Sequence, residues 1–68
     1  MLLIEKLRTD SKLSQSEIAR RAVMHVSTVN SIERGRLIPW PGQVEKLKGI
    51  MLALGWDGVS DLFSEVSE

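Results

Sequence analysis

Apolar residues recur every three or four positions in the first third of the chain, which is the spacing of one face of an α-helix. The first apolar stripe predicts a helix over residues 2–10 and consists of Leu3, Ile4 and Leu7. The second stripe predicts a helix from about 15 to 22 and consists of Ile18, Ala19 and Ala22. The four residues before it, Ser14 to Glu17, have the form of a capping box, in which a serine oxygen accepts an amide and a glutamate returns to the cap. The second helix is therefore expected to start at this box.

A third helix is predicted from His25 onward, and its two faces differ in chemistry. One side carries the apolar residues Val26, Val29 and Ile32, and the opposite side carries the polar residues Ser27, Asn30, Ser31 and Arg34. Gly35 is suited to end the helix, because glycine adopts positive φ without a steric penalty. The third helix thus presents to solvent a row of short hydrogen-bonding side chains followed by an arginine.

The rest of the pattern predicts two further helices. "RLIPWP" is an extended connection, and Pro41 suits the first position of helix 4. Helix 4 has an apolar seam, yet its second half is apolar nearly all round, so it is either deeply buried or covered by another chain. Gly55 would end helix 4 and Asp57 would cap a fifth helix, whose buried side consists of Val59, Leu62, Phe63 and Val66. The pattern predicts one all-α, five-helix domain over residues 1–68.

Length and composition argue against disulfides, a metal cluster, a membrane span and a signal peptide. The chain has 68 residues, no cysteine and one histidine, so neither disulfides nor a metal cluster is expected to hold it together. The longest apolar run, "IMLALGW", is far shorter than the roughly 20 residues of a spanning helix. "MLLI" is too short for the core of a signal peptide. We therefore expect a soluble cytoplasmic protein without membrane contact.

The net charge of zero conceals an asymmetry between the two ends of the chain. Residues 1–48 carry nine Lys or Arg against five Asp or Glu, a balance of +4, whereas residues 49–68 carry four acids and no Lys or Arg. A basic half of this kind can face phosphates while the acidic half faces away. The average charge is therefore no argument against nucleic acid as a partner.

The stretch "LRTDSKLSQSEIARRAVMHVSTVNSIERG", residues 7–35, resembles the lambda-repressor/Cro-type (XRE-like) helix-turn-helix family. That family's pattern runs from L-R through L-S-Q, an Ile/Leu-Ala core, a G-V-S corner and S-T-[IV] to I-E-[RN]-G. The similarity continues more loosely through "IPWPGQVEKL" and "ALG". It implies a lambda-repressor-like DNA-binding domain, with the helix-turn-helix formed by helices 2 and 3 over about 14–35.

The resemblance also implies which residues contact DNA. Helix 3 would enter the major groove, with phosphate contacts from the start of helix 2 and the loop after helix 3. The base-contacting positions would be His25, Val26, Ser27 and Ser31, with Asn30 beside them in the same polar row. The phosphate-contacting positions would be Gln15, Thr28 and Arg36, with Arg34 added from the end of that row. Apart from Asn30 none of the base-contacting side chains offers a bidentate pair, so we expect phosphate contacts and DNA shape to supply much of the binding.

Comparison with the family pattern also singles out one residue pair, two departures at the corner and the length of helix 4. Arg8 and Glu33 match a pair that forms a salt bridge between helices 1 and 3 in the family. Val23 stands where the family has the corner glycine, so the corner either adopts a different conformation or stores strain. His25 stands where a Ser or Thr cap is usual, and a poor cap costs about 1 kcal/mol. Helix 4 is about three residues longer than usual, so the family's dimer geometry does not transfer directly.

The functional prediction is a transcriptional regulator of the repressor/Cro-like kind, prokaryotic or phage-encoded, that binds double-stranded DNA. A homodimer on a palindromic operator is expected, because a monomer of this size can hardly cover the C-terminal helices 41–66; the expected contacts are Ile50, Leu52, Trp56 and Phe63. Trp40 is expected to be partly buried over the core or the loop, with a contact to another subunit as the alternative. No catalytic residue, cofactor, metal or small-molecule ligand is indicated, so an enzyme is not expected. The alternative is an antitoxin-like or adaptor module with a drifted corner, whose partner is another protein.

Overall fold

The structure is a computed structural model and describes residues 1–57 and 61–67. Within these ranges the chain forms four α-helices, α1 (Leu3–Asp10), α2 (Gln15–Ala22), α3 (Val26–Glu33) and α4 (Pro41–Ala53). The central helix α2 packs against both α3 and α4. The all-α prediction is confirmed, and α2 and the start of α4 lie where the pattern placed them. None of these helices combines the length and the apolar character needed to cross a membrane.

One hydrophobic core lies between the four helices and the C-terminal segment. Each helix contributes the apolar face that its periodicity predicted; the buried members are Ile4, Leu7, Ile18, Ala19, Ala22, Val29, Ile32, Leu47, Met51 and Leu62. On α3 the apolar side is divided, since Val29 and Ile32 are 1% exposed whereas Val26 is 46% exposed. The first residue of α3 is therefore available at the surface, although it belongs to the apolar stripe by spacing.

All four helices end in the same backbone turn, the Schellman motif, which places one residue in the left-handed region. In each motif the residue that follows the left-handed one donates its amide to the carbonyl five residues earlier. The donor–acceptor pairs are Leu13–Arg8, Met24–Ala19, Arg36–Ser31 and Trp56–Met51. The left-handed residues are Lys12 (φ 60°), Val23 (φ 55°), Gly35 (φ 74°) and Gly55 (φ 96°). The corner between α2 and α3 therefore keeps the conformation that glycine would take, and Val23 is strained in it.

We expect Val23→Gly to stabilise the protein by about 1 kcal/mol. A β-branched residue in the left-handed region costs roughly 1–3 kcal/mol, and the greater freedom of glycine in the unfolded chain offsets part of the gain. Val23 is 81% exposed, so little packing is lost. Thermal unfolding followed by circular dichroism should show a midpoint about 4–8 °C higher. Lys12→Gly is the matched control and should gain less, because lysine is not β-branched; an unchanged or lower midpoint for Val23→Gly would show that the corner is unstrained.

The prediction of a fifth helix is wrong, because residues 61–67, the part of that segment that the structure describes, do not form a helix. Residues 61–67 form turns and an isolated antiparallel bridge between Leu2 and Glu65, with no helical stretch. The carbonyl oxygens of Leu62 and Ser64 accept the amides of Ile4 and Leu3 at 2.7 and 2.9 Å, and these amides begin α1. Because α1 has no side-chain cap, the C-terminal segment supplies the missing acceptors, which a helix would have used internally. Of the predicted helix, Val59 lies outside the described residues.

Candidate nucleic-acid interface

Two short helices and a tight corner create the candidate interface. The Ser14 hydroxyl accepts the Glu17 amide at 3.1 Å and starts α2, as the capping box predicted. At the other end of the corner, His25 precedes α3 with an extended backbone and makes no side-chain cap hydrogen bond. The imidazole of His25 is therefore exposed beside the first turn of α3.

Some of the predicted base-contacting residues on α3 are exposed to solvent, whereas others are half-buried. His25, Val26 and Ser27 are exposed at the N-terminal end of the helix. Asn30 and Ser31 are half-buried, as is Thr28, one of the predicted phosphate contacts. The accessible part of the row is thus the first turn of the helix, which is the part that approaches base edges in a helix-turn-helix.

Beneath this face, a hydrogen-bonded network joins α1, α2 and α3. Arg8 donates to both carboxylate oxygens of Glu33, from Nε at 2.7 Å and from a terminal nitrogen at 3.0 Å. Its other terminal nitrogen donates to the carbonyl of Leu13 at 2.8 Å. The Glu33 side chain is fully buried and that of Arg8 is 12% exposed. The ion pair that the family pattern implied is thus present and bidentate, the geometry in which arginine binds carboxylates most strongly.

The network extends from this ion pair to two predicted DNA contacts. Gln15 Nε2 donates to Glu33 at 2.9 Å, and Asn30 Nδ2 donates to Gln15 Oε1 at 3.2 Å. The direction of these bonds is fixed, because an ionised carboxylate only accepts and the amide of Gln15 must therefore turn its nitrogen toward Glu33. The side chain of Gln15 thus bridges α3 in this structure, and that of Asn30 is held against α2. Sequence spacing gave no sign of this Gln15–Asn30 contact.

Two arginines lie immediately after α3. Arg34 is the C-cap residue and Arg36 follows the left-handed Gly35, and both are exposed. With Glu5 and Glu65 they line an open cleft of about 410 Å³ at the N-terminal end of α1. None of the ion pairs among the described residues includes either arginine. Both guanidinium groups therefore remain available to an external anion.

The basic residues of α2 have a partner within their own helix. The carboxylate of Glu17 binds Arg20 and Arg21, so it does not return to the cap as the capping box predicted. Hydrogen bonds from Arg20 and then Arg21 lower the pKa of Glu17, and the same contact raises the pKa of Arg20. The two arginines are exposed and Glu17 is partly exposed, and ion pairs at the surface contribute little to stability. Their main effect is to neutralise part of the positive charge on α2.

An exposed apolar loop between α3 and α4 was missed by the sequence analysis. Leu37 is 40% exposed, Ile38 88% and Trp40 74%, so the expectation that Trp40 is partly buried is wrong. Trp40 precedes the first residue of α4 with an extended backbone, and its amide donates to Gln43 Oε1 at 3.0 Å. The prolines on either side of Trp40 were the available signal, since they favour an extended chain over a return to the core.

The four predicted dimer contacts divide into two groups. Ile50, Trp56 and Phe63 are partly buried against the protein's own core. Trp56 also donates from Nε1 to the hydroxyl of Ser11 at 2.8 Å, which ties the end of α4 to the end of α1. Only Leu52 of this set, at 62%, is mainly exposed. The apolar second half of α4 is thus covered mostly by the same chain.

Comparison with protein families gives a match to the helix-turn-helix domain over residues 2–48. The match includes α1, α2, α3 and the first half of α4, and hence the corner, the buried network and the exposed loop. The searches of curated proteins and of solved structures gave no match. Since the family model spans well over half of the sequence, the chain belongs to the helix-turn-helix domain family, in its lambda-repressor-like class, and is a DNA-binding domain.

Proposed function

We propose that the protein is a sequence-specific transcriptional regulator that inserts the first turn of α3 into the major groove of duplex DNA. The observation that carries this proposal is the exposure of His25, Val26 and Ser27 on a helix whose opposite side is fixed to α1 and α2. A helix held in this way brings its side chains to base edges without first having to be ordered, which lowers the cost of binding.

The chemistry of the three exposed residues supports modest specificity. His25 can donate to guanine N7 or O6, Val26 can pack on a thymine methyl group, and Ser27 can bond to several bases. None forms a bidentate pair with a base. The side chain of Gln15 is hydrogen-bonded to Glu33 and Asn30. A phosphate at the start of α2 would therefore be bound by the backbone amides of the first turn instead. Phosphates and DNA shape would therefore supply much of the affinity.

A homodimer on a palindromic operator is the second part of the proposal. The support for it is Leu52, 62% exposed on α4, beside the exposed Ala53. Two copies related by a twofold axis would bury these residues and present two α3 helices to successive major grooves. Light scattering at high micromolar concentration should give the mass of a dimer. A monomer at that concentration, on DNA as well as free, would remove this part of the proposal.

The function is tested by selection from a random duplex pool at moderate salt, followed by sequencing of the retained DNA. An enriched site would support base contact by α3, and two inverted half-sites about one helical turn apart would support the dimer. Weak binding without enrichment that disappears on addition of salt would contradict the proposal. That result would instead favour the antitoxin-like or adaptor function, with a protein as the partner.

Ser27→Ala and Arg36→Ala are expected to affect DNA binding in different ways. Ser27→Ala should change the preferred base at one position of each half-site, because the hydroxyl contacts base edges. Arg36→Ala should weaken binding to all duplexes. It should also reduce the slope of log affinity against log salt concentration by about one for each phosphate contact that is lost. Fluorescence anisotropy on labelled duplexes measures both effects.

Lys48→Ala is the charge-matched control, since Lys48 is exposed on α4, outside the two helices and the corner of the helix-turn-helix. It should leave base preference unchanged and alter the salt slope less than Arg36→Ala does. Equal losses on every sequence for Ser27→Ala and Arg36→Ala would contradict the division into base and phosphate contacts.

A further inference from the structure

The loop between α3 and α4 exposes three large apolar side chains within four consecutive positions of the chain. Ile38 and Trp40 are 88% and 74% exposed, and Leu37 beside them is 40% exposed. Grouped exposed apolar side chains, tryptophan above all, mark interaction surfaces. We call residues 36–40 the apolar loop.

The backbone of the apolar loop is hydrogen-bonded at both ends, to α3 and to the start of α4. The amides of Arg36 and Leu37 both donate to the carbonyl of Ser31 on α3, at 2.9 and 3.3 Å. At the other end Trp40 lies between two prolines, and its amide is bonded to Gln43. A backbone that is hydrogen-bonded at both ends has less conformational entropy to lose on binding than a mobile loop, which favours binding of a partner.

The charge of residues 34–44, which include the apolar loop, favours an anionic partner, although Glu5 and Glu65 line the cleft beside the two arginines. Residues 34–44 contain two arginines and no carboxylate. Arg34 and Arg36 have no ion-pair partner among the described residues. Two copies of this loop facing each other would bring like charges together. The backbone of DNA instead offers phosphates for the arginines and apolar deoxyribose faces between them.

We propose that Ile38 and Trp40 pack against the deoxyribose rings of the strand that borders the major groove, beside a phosphate held by Arg36. This inference rests on the proposed insertion of α3 into the groove, which would bring the loop that follows α3 toward the strand bordering the groove. The apolar loop then adds affinity that depends on burial of apolar surface and little on salt. Trp40 is thus a DNA contact in addition to the residues of α3.

The test uses tryptophan fluorescence in a Trp56→Phe background, where Trp40 is the only tryptophan. Circular dichroism first establishes that this variant folds. Binding of labelled duplex is followed by anisotropy, and access to Trp40 is followed separately by acrylamide quenching. We expect quenching to fall at least twofold when duplex is bound, because the ring leaves water. We also expect hydroxyl-radical footprints to show deoxyribose protection that Trp40→Ala abolishes.

Trp40→Ala should weaken binding by roughly tenfold at every salt concentration, the loss expected when on the order of 60 Å² of apolar surface stays in water. Trp40→Phe, the conservative variant, should retain most of the affinity. Arg36→Ala is the matched contrast, since it should lower the salt slope whereas Trp40→Ala should leave it unchanged.

Three outcomes would overturn the inference. If duplex binds by anisotropy while quenching of Trp40 is unchanged, the apolar loop is not a DNA contact and the proposed function still stands. If quenching falls with rising protein concentration in the absence of DNA, the loop is an interface between copies of the chain. If no duplex binds at all, the inference and the proposed function fail together.

Discussion

Arg8→Ala is expected to destabilise the protein by roughly 3–5 kcal/mol, because it leaves the buried carboxylate of Glu33 without its counter-ion. The Glu33 side chain is fully buried, and both of its oxygens accept hydrogen bonds from Arg8. After the substitution only the neutral amide of Gln15 would remain as a partner. Since a domain of this size rarely has more than about 3–5 kcal/mol of stability, the variant should be largely unfolded at 25 °C. Urea unfolding followed by circular dichroism measures the change.

Two further variants with smaller expected losses test the same prediction if Arg8→Ala does not fold. Arg8→Lys retains the positive charge but cannot reproduce the paired bonds to Glu33 together with the bond to Leu13, so an intermediate loss is expected. The double variant Arg8→Met with Glu33→Met removes both charges and fills similar volume. It should be more stable than Arg8→Ala alone, because no buried charge is left unpaired.

Arg20→Ala is the control for an arginine–glutamate pair in solvent. The Arg20 side chain is 73% exposed, and its partner Glu17 also binds Arg21. We expect only a small change in the unfolding midpoint, since exposed pairs are screened by water. Similar losses for Arg8→Ala and Arg20→Ala would contradict the importance assigned to burial of the network.

The sequence predicted those features of the fold that depend on neighbouring residues. Side chains three or four positions apart predicted the bounds of α2 and its cap at Ser14. Residue type alone predicted Pro41 as the first residue of α4 and the left-handed conformation of Gly35. Such local signals act within one turn of helix, so they can be recognised along the chain. The ion pair of Arg8 and Glu33 was predicted only because residues 7–35 resemble a known family, not from spacing.

The features that the sequence did not predict depend on contacts between distant residues. Apolar residues at helical spacing predicted a fifth helix, but the carbonyls of residues 62 and 64 bond to α1 instead. Gln15 was predicted to contact phosphate, and only the folded chain brings it beside Glu33 and Asn30. Residue type and periodicity carry no information on these tertiary partners. Trp40 is a different case, because its flanking prolines were a local signal for an extended chain, whereas the prediction of partial burial followed the general tendency of tryptophan to be buried.

Leu62→Ala is expected to destabilise the protein by about 2–4 kcal/mol, although Leu62 lies outside any helix. Its side chain is 1% exposed and belongs to the core to which all four helices contribute. Truncating a buried leucine removes apolar contacts and leaves a cavity that its neighbours only partly fill. The substitution also loosens the segment whose carbonyls cap the first amides of α1. The urea midpoint should therefore fall well below that of the unsubstituted chain.

Hydrogen exchange separates the two contributions of this segment. The amides of Leu3 and Ile4 bond to residues 64 and 62, so in Leu62→Ala they should exchange faster by a larger factor than the amides of α2. Val66→Ala, which truncates a half-buried residue of the same segment, should have a smaller effect on both measurements. An unchanged midpoint with slow exchange at Leu3 and Ile4 would show that α1 is stable without the C-terminal segment. The expected result instead makes residues 61–66 part of the domain, although the match to the helix-turn-helix family ends at residue 48.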